Sequence, residues 1–214
     1  MLEICRANLR EMETLNSKNR NNCMYRHSGV ILRTISKADA KWLLDLHNDW
    51  DTLKYLTDGR PVDEKQQDMW VERMMNSSSS MRLAVLTEHE HIDIGLSPND
   101  PVGCIRLDRI DYLNKTVLVG GDIVKKARGN EYGSKMFNAM LSFVFDVLNM
   151  RRAYLSVLEN NNVAINMYKK HGFTEEGREK KAIIRNGIEL DYINMYLMER
   201  DYRKNESSRN DTIV

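Results

Sequence analysis

The pattern of apolar and polar positions divides the chain into short strands and amphipathic helices. Six segments alternate as strands do or form short apolar runs, and we predict strands at 30–35, 81–88, 102–110, 115–124, 153–158 and 192–200. Apolar residues recur at helical spacing over 36–49, 63–76, 133–150 and 161–171, and Gly172 is predicted to end the last of these helices. This order of elements predicts an α/β (α+β) protein with a mixed central sheet and helices on both faces.

Two polar segments flank this pattern. Residues 1–27 form a predicted N-terminal extension, with a weak helical stripe over 2–15, and residues 203–214 form a tail that we predict to be disordered. A single domain is therefore expected over residues 28–202. The extension mixes charges throughout, so we expect no secretory signal in it.

The composition excludes some classes of function. Apolar residues make up 42% and charged residues 29%, which suits a normal folded core. With 32 basic and 31 acidic residues, nothing predicts nucleic acid or a membrane as a partner. The 3 cysteines have no metal-like spacing, His89 and His91 have no evident third ligand, and we predict no metal site. We expect a cytoplasmic protein with reduced thiols and with Cys104 buried in a strand.

The segment ARGNEYGSKMF, residues 127–137, carries the strongest local hint of chemistry. A predicted strand leads into two glycines and then into a long helix, and unpaired N–H groups at a helix N-terminus attract anions. The segment lacks the pattern of a nucleotide P-loop and of a dinucleotide fingerprint. Glu131 puts a negative charge where a phosphate would bind. On this segment alone, an anion cradle and an ordinary strand-to-helix turn are equally good interpretations.

Longer motifs extend this hint to most of the chain. Arg128, Glu131 and Gly133 follow an Arg-x-x-Gly-x-Gly pattern, with glutamate in place of the central glycine. The run VLENNNVAINMYKKHGFTEEGR matches a second pattern at Asn161, Ala164, Ile165, Tyr168, Lys170, Gly172, Phe173 and Gly177. With IIRNGIELDYINM near the end, residues 30–200 resemble the GCN5-related N-acetyltransferases (GNAT). The closest resemblance is to the branch that acetylates ribosomal-protein N-termini, polyamines and amino sugars.

The resemblance implies a fold and a cosubstrate. The fold would be a mostly antiparallel sheet of about six or seven strands, with a bulge at Gly120, Gly121 and Asp122 that splays two central strands apart. The cosubstrate would be acetyl-CoA, its pyrophosphate bound by backbone N–H groups from Arg128 to Ser134. The implied binding residues are Ile123, Val124, Arg128, Gly129, Asn130, Glu131, Tyr132, Gly133, Ser134 and Asn161.

The same resemblance assigns candidate catalytic residues, and each has a structural alternative. Tyr168 would protonate the leaving thiolate, but its helical spacing also suits a core residue. Asn161 caps its helix, contacts the cofactor or a catalytic water, or does both. The base is either an ordered water path or Asp122, because Val117–Val119 replace the glutamate usual in relatives. The structural alternative for Asp122 is a bulge residue that faces solvent. Asp191 contacts the acceptor amine or pairs with Arg178 or Arg185.

We therefore expect an acetyl-CoA-dependent N-acetyltransferase that uses no metal. The acceptor would be the primary amine of a small molecule, a polyamine or an amino sugar, or a protein N-terminus. The branch also implies a homodimer. The alternative is a non-catalytic acyl-CoA-binding or sensing module, which Glu131 and the absent strand glutamate both favour.

Overall fold

The computed structural model describes residues 25–56 and 59–210, and their core is one eight-stranded sheet in the order β1-β2-β3-β4-β5-β6-β8-β7. Neighbouring strands are antiparallel except β5 and β6, which are parallel. The strands are β1 (Tyr25–His27), β2 (Val30–Thr34), β3 (Met81–Thr87), β4 (Pro101–Asp111), β5 (Thr116–Ile123), β6 (Arg152–Leu158), β7 (Thr174–Arg185) and β8 (Ile188–Met198).

Six helices connect and cover these strands in the described part of the chain. They are α1 (Ala40–Asn48), α2 (Trp50–Leu53), α3 (Glu64–Met75), α4 (Tyr132–Ser142), α5 (Asn162–Lys170) and α6 (Glu199–Asn210). A 3-10 turn at Lys37–Asp39 precedes α1, and a π-helical turn at Phe143–Val147 prolongs α4. Among these helices none is long and apolar enough to cross a membrane.

Helices cover both faces of the sheet, as the sequence predicts, because the strands alternate in what they bury. On β4, Ile105 and Leu107 face the larger core, which Phe137 and Met140 of α4 fill. Cys104 faces the smaller core under α1 and α3. The sheet thus separates two layers, and β4 and β5 lie between them.

The predicted splay is confirmed where β5 and β6 meet. The two strands pair only from Thr116 to Leu118, against Arg152 to Tyr154, and then separate. The predicted bulge is not a shift against β4, because Leu118 to Ile123 stay in register with that strand. The irregularity lies instead on β4 near Arg109, whose φ is 49°. We call the opening between β5 and β6 beyond Leu118 the gap.

The structure has two strands that the sequence pattern did not predict. β7 is mostly exposed and polar, so it lacks the apolar alternation on which the prediction relied. It forms a hairpin with β8 through Asn186 and Gly187, at φ 50° and 77°, and an Asn-Gly pair is a strong hairpin signal. β1 lies inside the predicted extension, so the sheet begins at Tyr25 rather than after residue 27. The helix suggested at 2–15 lies outside the described residues.

The prediction of a disordered tail from residue 203 is wrong as far as Asn210, because α6 continues to that residue. Tyr202 is buried and its ring stacks on Phe145 at 4.9 Å. Arg203 pairs with Asp146. These contacts hold α6 against the rest of the protein, although its residues are too polar to predict a packed helix.

Candidate active site

The gap is bordered by the starts of two helices. β5 leads through a 3-10 turn at Lys125–Ala127 into α4, and β6 leads directly into α5. A Cβ on Gly133 would lie 3.8 Å from the sulfur of Met167, so the first turn of α4 approaches the side of α5. A ligand in the gap therefore meets backbone from β5 and α4 and side chains from α5.

The first turn of α4 presents a row of open backbone donors. The N–H groups from Gly129 to Ser134 have no hydrogen-bond partner in the part of the chain that the structure describes, and the ladder of α4 starts with the bond from Lys135 to Glu131. Gly129 has a φ of 77°, and a side chain there would have open space around it. Such a row, with the positive end of the helix dipole, binds phosphate groups. The residues present thus fit the pyrophosphate of coenzyme A.

The upper part of β5 adds two more donors. Val124 N–H bonds to the carbonyl of Val102 at 3.0 Å, so the alternation of an antiparallel ladder turns the N–H groups of Gly121 and Ile123 away from β4. They face the gap, where the parallel partner strand has departed. The N–H of Val124, a predicted binding residue, is therefore not open to the cosubstrate, because β4 already binds that group.

Arg128 is placed differently from the prediction. Its backbone N–H bonds to Lys125 at 3.3 Å. Its guanidinium turns toward α2, where Nη2 contacts the Asp49 carboxylate at 2.6 Å and the Thr52 hydroxyl at 2.7 Å, while Nε donates to the carbonyl of Ile123 at 3.1 Å. Arg128 therefore anchors the loop rather than contributing a phosphate-binding N–H.

Glu131 does not face the row of donors. Its side chain is 82% exposed and its carboxylate lies 3.1 Å from the ammonium of Lys135. Asn130 is also exposed and its amide nitrogen donates to the carbonyl of Arg128 at 3.1 Å. Tyr132 points the other way, into the core, where its hydroxyl bonds to Thr87 at 3.0 Å. Glu131, Asn130 and Tyr132 therefore present backbone groups, and not their side chains, to a ligand in the gap.

The ring of Tyr168 lies in the core, in agreement with one of the two interpretations made from the sequence, and its role as an acid stays a prediction. Its ring packs against Phe137 at 5.2 Å and Phe173 at 6.0 Å between centroids. Its hydroxyl has no hydrogen-bond partner among the described residues and is not sealed from solvent. Burial raises the pKa of the phenol to about 12, so it carries its proton at neutral pH. The core holds the ring and leaves an acid group free.

Asn161 is the N-cap of α5, as predicted. Its Oδ1 accepts a hydrogen bond from the N–H of Ala164 at 3.3 Å. Gly172 ends this segment with a φ of 93°, in agreement with its predicted role as the stop. The amide nitrogen of Asn161 has no partner among the described residues and remains available to a ligand.

Asp122 forms an ion pair that the sequence analysis missed. Its carboxylate lies 3.2 Å from Nη1 of Arg106, and only 13% of its side chain is exposed, so the solvent-facing alternative is wrong. Arg106 lies opposite Gly120 on β4. The charges of Arg106 and Asp122 both act on Tyr168. Alternation along β4 predicts only the face of the sheet on which Arg106 lies. The register of β4 against β5 is needed to show that Arg106 meets Gly120 and Asp122.

The contacts of Asp191 and the burial of Cys104 both suit structural roles. Asp191 pairs with Lys180 at 2.7 Å and accepts from the N–H of Lys181 at 2.9 Å, so its direct partner is neither of the two predicted arginines. Cys104 is buried as predicted, and burial raises the pKa of its thiol to about 12. A thiol that stays protonated is a poor nucleophile.

Open donors on β5 and α4, together with the phenol of Tyr168 on α5, are compatible with the site of an acetyltransferase. The sequence model of the acetyltransferase (GNAT) domain matches residues 30–174. The chain belongs to this family, and the resemblance found in its motifs is confirmed.

Curated relatives include two kinds of small-molecule acetyltransferase. The chain is 21% identical over 176 residues to spermidine N(1)-acetyltransferase of Vibrio cholerae serotype O1, which spans 82% of this chain and 96% of that protein. It is 28% identical over 134 residues to an L-amino acid N-acetyltransferase of Escherichia coli K12, over 62% of this chain and 75% of that one. Among solved structures, Vibrio cholerae spermidine N-acetyltransferase in complex with CoA and spermine superposes with a TM-score of 0.73 at 22% identity, covering 82% of this chain and 98% of that one.

Proposed function

We propose that this protein transfers the acetyl group of acetyl-CoA to the primary amine of a small molecule. The observation that carries the proposal is the row of unpartnered N–H groups from Gly129 to Ser134 beside the gap. Acetyl-CoA supplies the acetyl group as an activated thioester. The residues of this chain hold it, position the amine and handle protons.

The backbone binds the donor. The N–H groups of Gly129 to Ser134 hold the pyrophosphate, and Arg128 keeps this loop in place through Asp49. The N–H groups of Gly121 and Ile123 face the gap and bind the arm and the thioester carbonyl. The free amide nitrogen of Asn161 adds a side-chain donor from α5.

Two groups handle protons near the thioester. Tyr168 donates its phenolic proton to the thiolate as the C–S bond breaks, and it regains a proton from the nitrogen that has formed the new C–N bond. The acceptor arrives as an ammonium, which Asp122 attracts, and it loses its proton to water before it attacks. Val117–Val119 offer no carboxylate on the strand before these residues, so water rather than a side chain is the assigned base.

A small acceptor is favoured over a protein N-terminus. Arg185, at the end of β7, donates to the carbonyl of Leu56 in the segment after α2, and its guanidinium packs 3.4 Å from the Cβ position of Gly59. This contact joins the β7–β8 hairpin to the segment between α2 and α3. We propose that it closes that side of the site. The names of the relatives give spermidine, L-amino acids and, for a protein of Bacillus subtilis, a ribosomal acceptor, so all three classes enter the screen.

Calorimetric titration with acetyl-CoA and an acceptor screen test this function together. We expect micromolar binding of acetyl-CoA and release of free coenzyme A thiol with at least one small amine. Binding without turnover over polyamines, amino acids, amino sugars and short peptides would instead indicate the acyl-CoA-sensing module. An absence of binding would overturn both functions, since both need the backbone row.

A further inference from the structure

The side chain of Arg106 packs against Gly120 of β5. It lies opposite Gly120 in the β4–β5 register, and a Cβ on Gly120 would come within 3.1 Å of Nη2 and 3.3 Å of Nε. Because Gly120 has no side chain, the guanidinium lies directly against the strand. A larger residue at position 120 would push it away from the mouth of the gap.

The guanidinium keeps most of its donors open. Its direct contact is the ion pair from Nη1 to Asp122 at 3.2 Å, and among the described residues Nε and Nη2 have no partner. The Arg106 side chain is 32% exposed, so a solute can reach it. Its neighbour on β3, Arg82, differs, because it is 8% exposed and holds the carbonyl of Leu107 and the carboxylate of Asp108.

The same guanidinium lies beside the gap, because Gly120 opposite it follows the last β5 residue that pairs with β6. Burial raises the pKa of the Tyr168 phenol, while the charge of Arg106 lowers it and that of Asp122 raises it. Both charges therefore reach the residue that protonates the leaving thiolate. Gly120 lies on β5 beyond the last pair with β6, so an acceptor in the gap comes near the guanidinium opposite it.

We propose that Arg106 sets acceptor specificity by binding a carboxylate of the acceptor through Nε and Nη2, so that the site selects an amino acid over a polyamine. The planar fork of a guanidinium matches a carboxylate with two parallel hydrogen bonds. The adjacent charges of Arg106 and Asp122 complement the carboxylate and ammonium of one α-amino acid. A polyamine has no carboxylate for the fork, and its further ammonium groups are repelled by it.

This inference rests on the proposed function and narrows the small-molecule acceptor to an amino acid. The relatives named for spermidine are 21% identical to this chain, which leaves the acceptor contacts free to differ. Specificity is the ratio of the kcat/KM values of two acceptors, which reports how much more tightly the site binds one transition state than the other. Pairs of matched acceptors measure this ratio directly.

The test compares acceptors that differ only in the carboxylate. L-phenylalanine is set against phenylethylamine, and L-lysine against 1,5-diaminopentane, with spermidine as a third class. We expect kcat/KM to be roughly 10- to 100-fold higher for the amino acid of each pair, as for hydrogen bonds to a charged group. Arg106→Gln should abolish this preference and leave acetyl-CoA binding unchanged, and Arg106→Lys should keep part of it.

Arg109→Gln is the matched control, because it removes the same charge from an exposed position on β4. It should leave the preference intact. Equal or better use of spermidine and the carboxylate-free amines by the unmodified protein would overturn the inference and leave the proposed function standing. Failure with every amine would instead overturn the proposed function. If Arg106→Gln does not fold, the comparison of acceptors with the unmodified protein decides alone.

Discussion

The carboxylate of Glu131 lies 3.1 Å from the ammonium of Lys135, one helical turn along α4, and its side chain is 82% exposed. Glu131 therefore occupies the usual glycine position of the family's loop without turning its charge toward the backbone donors. A negative residue in a phosphate-binding loop is compatible with binding when its side chain leaves the N–H groups uncovered. The main sequence argument for a non-catalytic module loses its support.

Replacing Glu131 tests this relationship. We expect Glu131→Gly and Glu131→Gln to change the Kd of acetyl-CoA by less than about fivefold, because an exposed ion pair contributes roughly 0–1 kcal/mol. Calorimetric titration at two salt concentrations measures it. A gain in affinity of tenfold or more in either variant would mean that the carboxylate does oppose the phosphates.

Tyr168→Phe should lower kcat by roughly 100-fold or more, because it removes a general acid. Binding of acetyl-CoA and the melting temperature should change little, since the ring contacts with Phe137 remain. Tyr132→Phe is the matched control. It loses the hydroxyl contact with Thr87, at about 1 kcal/mol of stability, and should keep its kcat. Equal kcat in the two variants would remove Tyr168 from the mechanism.

Asn161 should show two separable roles. Asn161→Asp keeps an oxygen that caps α5, so we expect normal stability but a KM for acetyl-CoA raised roughly 3- to 10-fold, since the amide donor is lost. Asn161→Ala should show the same KM change and also lose about 1 kcal/mol of unfolding free energy. Urea unfolding and steady-state kinetics measure the two effects. An unchanged KM in both variants would leave Asn161 as a helix cap alone.

Arg128 and Asp49 should act as one unit. Arg128→Gln and Asp49→Asn each break the 2.6 Å contact that holds the loop, so each should raise the KM for acetyl-CoA roughly 3- to 10-fold with little change in kcat. The double variant should be no worse than either single one. Additive effects would contradict a shared anchor. Asp51→Asn, at 3.8 Å from Arg128 and exposed, should behave like the unmodified protein.

Asp39 should make stability depend on acidic pH. Burial alone would raise the pKa of its carboxyl, but hydrogen bonds from Arg33, Trp42 and the N–H of Ser36 lower it to about 2. Its unfolded pKa is about 3.9. Folding therefore favours the ionised carboxylate, which contributes about 2 kcal/mol to the free energy of unfolding. This contribution is complete above about pH 5 and is lost as the pH falls toward 2.

Urea unfolding between about pH 2 and 7 measures this contribution as the difference between the unmodified protein and Asp39→Asn. The difference should shrink as the pH falls through the window between the two pKa values. Asp45→Asn, at an exposed position on α1, is the matched control. A difference that stays constant down to about pH 2 would contradict the role of the Arg33 pair.

The sequence by itself determined the elements that bury a periodic apolar face. β2 to β6, α3 and α5 lie within about two residues of their predicted bounds, because alternation and helical spacing record which face meets the core. Asn161 and Gly172 were found as cap and stop because these roles depend on local backbone geometry. The motifs at 128–134 and 161–177 were enough to identify the family.

Only the tertiary structure decided where the polar side chains point. β7 is stabilised by its hairpin with the adjacent strand β8. α6 is stabilised by the stacking of Tyr202 on Phe145, which is distant in sequence. The residues of both elements are too polar to predict that they pack. Arg128 meets Asp49 across two helices and three strands of chain. Arg106 meets Gly120 and Asp122 only through the register of β4 and β5. A polar side chain is positioned by whichever charge the fold brings near, and sequence periodicity carries no record of that partner.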